Sequence, residues 1–471
     1  MWTSSRNEAS IAGMQRVSYT IGLLVALSIG SSSALAAAPV IENADSRWEN
    51  KTILRVIDFN RNRPPVLTFD DSKSVKSCKL DSAPCPKNHR MELLPFPGRP
   101  RGRIFTLTWI DGDGEHEASV KLLDRIPSDF SIEGRSVLKK NVFLAVGTLL
   151  LSLSPEGEID FYRESSFPTV DFRPVKVGGK RFYSFGQIRQ VNEAVNSEGM
   201  HWVLDQDFEL FDVQSRISDN HEFLFLGPKH FVFTHYEDSA KEGEPCVLRQ
   251  SVIESKNGRD VYVLDSDELV KLGILPAYGV PPVRKSIRTK IRYHGRECLQ
   301  NDHLNAVEIV DRNRWLVSFG ESTVFMWLKK ERRAEWVFGG VGDQFKLTAE
   351  QKTALHHTPH WFEKEKRLIL FDNGLENKRS RVVEYFLDFK SGKVRAMKQH
   401  DLGGAFSTSA GSVEVDGDVL SVGFGNRENS KNDFVELSSG TQTMAIRVCS
   451  NCDKLWIYRF YRGDVREPAR R

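Results

Sequence analysis

From about residue 142 onward the chain alternates short apolar runs with polar connections rich in Gly, Pro and Asp, the pattern of β-strands joined by tight turns. Residues 142–163 turn at Pro155-Glu156-Gly157, 223–236 at Gly227-Pro228-Lys229, and 368–397 at Ser391-Gly392-Lys393, with further sets at 315–336 and 412–448. The sets recur every roughly 45–60 residues, the spacing of four-stranded propeller blades. Each has apolar strands that need a neighbour to pack on, so none is expected to stand alone. A last apolar run, 455–461, lies beyond the final complete set and is expected to close the ring against an N-terminal strand. Only 265–273 reads as helix, with Asp265 and Glu268 at capping-box spacing, inside an insertion ending at Pro281-Pro282.

Ahead of this array, residues 37–126 predict a small antiparallel β-sandwich. Strands are expected at 52–59, 104–109 and 117–123, with a hairpin at Asp111-Gly112-Asp113-Gly114. The composition changes at Ile126-Pro127-Ser128, so the propeller is expected to occupy 127–471. Residues 1–36 have the form of a signal peptide, with Arg16 before the apolar run 19–29 and Ser31-Ser32-Ser33-Ala34-Leu35-Ala36 after it. The run is short for a bilayer span. Cleavage and no stable membrane insertion afterwards are therefore expected, with a retained anchor as the alternative and Met14 a candidate start.

All six cysteines follow that segment, which fits an oxidising compartment, periplasmic or secreted. Cys78 and Cys85 enclose a short loop suited to a local disulfide. Cys449-Ser450-Asn451-Cys452 reads as a turn disulfide rather than a redox centre, because a strand rather than a helix follows it. Cys246 and Cys298 then pair by elimination. The net charge of +3 argues against bulk nucleic-acid binding. One local run is basic: Arg288, Lys290 and Arg292 share one face of a strand, and Ile287 and Ile291 the other. It reads either as a solvated edge strand or as a cationic wall for an anionic ligand.

Candidate chemistry lies in the imidazoles. His356-His357-Thr358-Pro359-His360 precedes a short strand and Phe371-Asp372-Asn373-Gly374, while Asp302-His303-Leu304-Asn305 and Asp219-Asn220-His221-Glu222 also stand just before strands. Three blades could each send one histidine to a common centre, offering a nucleophile, a proton donor and a cation near neutral pH. His356 and His357, as successive strand residues, should face opposite ways. Asp372 and Asn373 read as turn formers that cap backbone groups. His360 with a neighbouring histidine lacks a third metal ligand, and Gly339-Gly340-Val341-Gly342 lacks the Lys-Ser/Thr of a phosphate loop, so neither a metal nor a cofactor is expected.

The chain resembles the PAPS-independent arylsulfate sulfotransferases, most strongly from about Asp302 to Asp388 and more loosely from Ile126 to the C-terminus. The matching motifs are His303-Leu304-Asn305, Trp336-Val337-Phe338-Gly339-Gly340, His356-His357-Thr358-Pro359, Phe371 to Gly374, and Ser380-Arg381. The resemblance implies a six-bladed periplasmic β-propeller moving a sulfuryl group from an aryl sulfate to a phenol through a sulfohistidine. His357 would be the nucleophile, His303 and Asn305 would hold the anion, and His221 would be the third imidazole. If their pKa values stay near ~6.5 or above, a bell-shaped rate profile around neutral pH is expected. The chain departs from the family at Trp315-Leu316-Val317-Ser318-Phe319-Gly320-Glu321, where the family carries an arginine. Either another cation, such as the Arg288, Lys290 and Arg292 face, takes its place, or the chain is a non-catalytic propeller binding an anionic or aromatic ligand or an envelope protein.

Overall fold

The computed structural model describes residues 38–42, 45–50, 53–57, 66–81, 83–92, 104–122, 131–157, 159–165, 167–192, 196–240, 244–280, 290–320, 323–428, 431–448 and 457–463. The expected signal segment, Cys449, Cys452, Arg288 and the boundary near residue 126 lie outside these.

From Ser131 on, the described residues form six successive sheets built on four antiparallel strands. The first strands of the second to sixth sheets are Thr169–Val177, Phe223–Gly227, Leu304–Ile309, His356–Phe362 and Ser412–Asp416. The corresponding place in the first sheet is taken by Phe460–Gly463 from the end of the chain, which pairs antiparallel with Asn141–Val146. At the other seam, Ser131–Gly134 adds to Thr441–Arg447 of the sixth sheet. Both ends of the array are thus tied into its opposite end, and the chain is a β-propeller.

Strand alternation supplies the packing between sheets. In the fourth sheet Trp315 and Val317 join the third sheet's Val232, Leu248 and Val252, while Leu316 and Met326 join Leu368, Leu370 and Tyr385 of the fifth. Ile369 and Phe371 then face the other way, onto Val413, Leu420 and Val422 of the sixth. The same division continues through the sixth–first, first–second and second–third contacts. Because both faces of a sheet are covered, inner strands such as Asn141–Val146 are buried at every position, whereas the outer Lys393–Asp401 is polar and mostly exposed.

The third sheet carries the insertion. Its short helix Ser266–Lys271 begins where Asp265 accepts a hydrogen bond from the Glu268 N–H at 2.9 Å, as the capping pattern predicts. The hairpin Lys290–Tyr293 and Arg296–Leu299 returns to the sheet, where Cys298 sits opposite Cys246 and is disulfide-bonded to it.

In the N-terminal region, strands Pro39–Glu42, Val66–Phe69 and Met91–Glu92 form one sheet and six further strands a second. Ile41, Leu67 and Phe69 of the first pack against Leu54, Leu107, Trp109 and Val120 of the second. Contrary to the all-antiparallel expectation, Ile53–Ile57 pairs parallel with Glu115–Leu122, because the chain between them crosses through other strands before returning. Cys78 and Cys85 close the hairpin of Ser77–Leu80 and Ala83–Pro84.

Candidate active site

His221, His303 and His357 stand at the starts of the first strands of the third, fourth and fifth sheets, the strands that line the axis. All three are at most 5 % exposed. The fifth-sheet strand is irregular where it matters: its register shifts between His357 and His360, and Leu355 and Thr358 have φ of 62° and 44°. A β-branched residue in the left-handed region is strained, and bulges of this kind re-aim side chains. Thr358 is held in place by its hydroxyl, which accepts from the Val413 N–H at 2.9 Å.

The strand places His356 and His357 on opposite faces. His356 turns to the Thr353 hydroxyl at 2.9 Å and is pushed down to about 3 by burial. His357 instead sits with Nδ1 2.9 Å from Oδ1 of Asn373. Asn373 donates from Nδ2 to the carbonyls of Ser407 and Ala410, at 2.8 and 3.0 Å, so its amide orientation is fixed and its oxygen must be the acceptor. His357 therefore carries its proton on Nδ1, which leaves the Nε2 lone pair free to react. Burial pushes its pKa well below the ordinary histidine value, with Arg459, His303, His221 and His356 adding to the depression.

The other two imidazoles meet directly, Nε2 of His221 lying 3.0 Å from Nε2 of His303. One proton must lie between these nitrogens. His221 donates from Nδ1 to Oδ1 of Asp219 at 2.6 Å, and its backbone N–H donates to Oδ2 at 3.0 Å. Burial acts to raise Asp219 but is outweighed by His221 beside it and by hydrogen bonds from His221 and Thr234, so the carboxyl is held below its usual range. His303 is pushed down to about 3, by burial and then by His221. Asp219, His221 and His303 make a relay with a carboxylate at one end and a neutral imidazole at the other.

Asn305, which the resemblance puts on the anion, engages the backbone in the structure. Its Nδ2 donates to the His356 carbonyl at 2.6 Å and so fixes the peptide that carries His357. Gly320 makes this approach possible, since a Cβ there would lie 2.2 Å from that nitrogen and 2.8 Å from the His356 carbonyl oxygen. Oδ1 of Asn305 is buried without a hydrogen-bond partner.

Two residues of the closing segment complete the centre, and sequence reasoning missed both. The Tyr458 ring meets His221 and His357 edge-on, with centroids 5.6 and 6.4 Å apart. Arg459, 1 % exposed, donates to Glu222 at 2.9 Å, to the Asn305 carbonyl at 2.6 Å and to the Tyr458 hydroxyl at 3.2 Å. Arg173 donates to Glu222 at 2.6 Å, and Asp171 lies 3.4 Å from Arg459. Two guanidinium groups thus face two carboxylates in the buried axis. Burial raises Asp171 to about 6 against the pull of both arginines, whereas in Glu222 the arginines outweigh burial and the carboxyl stays low. The signal available in sequence was an arginine inside the apolar run Ile457-Tyr458-Arg459-Phe460-Tyr461.

Of the basic face, Lys290 and Arg292 lie among the described residues. Lys290 and Arg292 occupy exposed positions on the outermost strand of the insertion hairpin, and Lys290 pairs with Glu297 at 2.8 Å. The apolar side of that strand, Ile291 and Tyr293, turns inward instead, with the Tyr293 hydroxyl bonding Glu198 and the Tyr236 carbonyl. Both cations stand on a strand at the edge of its sheet. Asp372 caps the backbone as expected, accepting from the Ala354 and Gly374 N–H groups. His360 bridges Glu308 at 3.2 Å and the Val413 carbonyl at 2.8 Å, which ties the fourth, fifth and sixth sheets together. A polar cleft of about 420 Å³, lined by Lys352, Arg379, Arg381 and His400, opens on the fifth sheet and includes none of the three axial histidines.

No protein-family model and no curated protein matches the sequence. Among solved structures, the chain is similar to the WD40 β-propeller domain of Doa1, at 7 % identity over 74 % of this chain and 86 % of that one, TM-score 0.32. It is also similar to the Myceliophteria thermophila Cps50 (Swd1) β-propeller domain, at 10 % identity over 69 % and 90 %, TM-score 0.35. The C-terminal WD40 domain of Sif2 is similar at 9 % identity over 74 % and 91 %, TM-score 0.33.

Proposed function

We propose that this chain is an arylsulfate sulfotransferase that passes a sulfuryl group from an aryl sulfate to a phenol through a sulfohistidine at His357. The observation that carries the reading is the tautomer of His357: Asn373 holds the proton on Nδ1, burial keeps the ring neutral, and Nε2 is left as the nucleophile. In the first half-reaction Nε2 attacks sulfur, the S–O bond to the aryl group breaks, and the leaving phenolate takes a proton from the His221–His303 pair. In the second, that pair removes the acceptor's proton while its oxygen displaces Nε2. Asp219, bonded to Nδ1, holds the His221 ring in place through both steps.

Arg459 supports the reading at the point where the sequence departs from the resemblance. Its guanidinium lies close enough to His357 to depress that pKa, and its Nε is buried without a hydrogen-bond partner. A fixed cation with an unspent N–H suits the equatorial oxygens of a transferring sulfuryl group. The two disulfides among the described residues support export to an oxidising compartment, periplasmic or extracellular.

A second reading, a non-catalytic propeller for an anionic or aromatic ligand, draws on the tight pairing of Arg459 with Glu222 and Asp171, which offsets its charge. Turnover of a chromogenic aryl sulfate, with and without a phenol, separates the two. Release of the chromogenic phenol that accelerates with an acceptor supports transfer, and ligand binding without release supports the second reading.

A further inference from the structure

We infer that Tyr458 is itself a phenolic acceptor, so that the chain sulfates its own closing segment when no external phenol is present. The inference rests on the transfer reading above. It starts from position: Tyr458 is a phenol whose ring touches His357, the proposed donor, and His221, half of the proton-accepting pair. It is 3 % exposed, and its hydroxyl takes a hydrogen bond from Arg459 at 3.2 Å while lying 3.5 Å from the Asn305 carbonyl. The cation that would balance a sulfuryl group on His357 therefore also stabilises developing negative charge on this oxygen.

Tyr236 is the natural comparison. Its ring lies near His221 and His303, but its hydroxyl is donated to the Leu304 carbonyl. Of the two phenols, Tyr458 is the one in ring contact with His357.

The step balances without any further reagent. The Tyr458 oxygen bonds to sulfur as the S–Nε2 bond to His357 breaks. The phenolic proton passes to the His221–His303 pair, replacing the one given to the departing donor phenol. The net change is aryl sulfate plus tyrosine to phenol plus tyrosine O-sulfate, with His357 returned neutral. Self-sulfation and external transfer draw on the same sulfuryl group on His357, so they compete.

The test is peptide mapping of the whole exported protein after incubation with an aryl sulfate and no acceptor. Fragmentation that localises the modification should find the mass of one sulfuryl group on the peptide holding Tyr458. That gain should be lost in Tyr458→Phe, and in wild type it should fall when excess phenol is present. Turnover of the donor with sulfate on His357 alone, or on Tyr236, overturns the inference and leaves the transfer reading standing. Absence of both turnover and adducts overturns the transfer reading and the Tyr458 assignment with it.

Discussion

The Nδ1 of His357 lies 2.9 Å from an Asn373 oxygen whose own amide nitrogen is spent on two backbone carbonyls. One side-chain amide thereby sets both the local backbone and the tautomer of the imidazole. Asn373→Ala should lower turnover by roughly 10–100-fold, the usual cost of losing an orienting partner. It should also leave the Ser407 and Ala410 carbonyls unmatched, at about 1–3 kcal/mol. Asn373→Asp keeps the acceptor and adds a negative charge, so the acid limb of its pH–rate profile should move upward. Identical pH profiles for wild type and Asn373→Asp would deny the contact its role.

The bell around neutral pH expected from unperturbed histidines changes once burial is known. His357 must be neutral to attack, and burial followed by Arg459 holds its pKa well below the ordinary value. The acid-side inflection of kcat/KM should therefore fall below ~6.5. An inflection at or above that value, traced to His357, would show that the ring is more hydrated than the structure describes.

His360 should make stability depend on alkaline pH. Burial would lower its pKa, but the hydrogen bond and charge of Glu308 prevail and raise it to about 9. A folded pKa above the unfolded ~6.5 means that the stabilisation is complete below ~6.5 and is lost as pH rises through about 9. Urea midpoints should fall over that window in wild type and stay flatter in His360→Gln. Parallel curves would remove the bridge from the account.

Arg459→Met should destabilise the ring by about 3–5 kcal/mol, because Glu222 and Asp171 would keep Arg173 as the remaining cation of the cluster. Chemical unfolding measures this directly. An unchanged midpoint would mean that the cluster relaxes into water.

Much of the fold was legible because strand alternation and turn residues are local. The three histidines could be found as well, since each stands in a polar cluster immediately before an apolar strand. Tyr458 and Arg459 could not be joined to them by any local rule, since ring closure alone brings the end of the chain against the third to fifth sheets. At Lys290 and Arg292 the alternation was right and the direction unreadable: the apolar face of that strand found the core, which sent the cations to the edge. For Asn305, sequence reveals an amide beside a histidine but not that Gly320 clears its path to the His356 carbonyl.

The bond that Nε2 of His357 forms to sulfur can be trapped. The protein is mixed briefly with an aryl sulfate, quenched in alkali to preserve a nitrogen–sulfur bond, and digested for peptide mapping. The expected result is a sulfuryl group on His357, absent from His356 and His360 and discharged on adding a phenol. A protein that turns over the donor while His357 stays unmodified would contradict it.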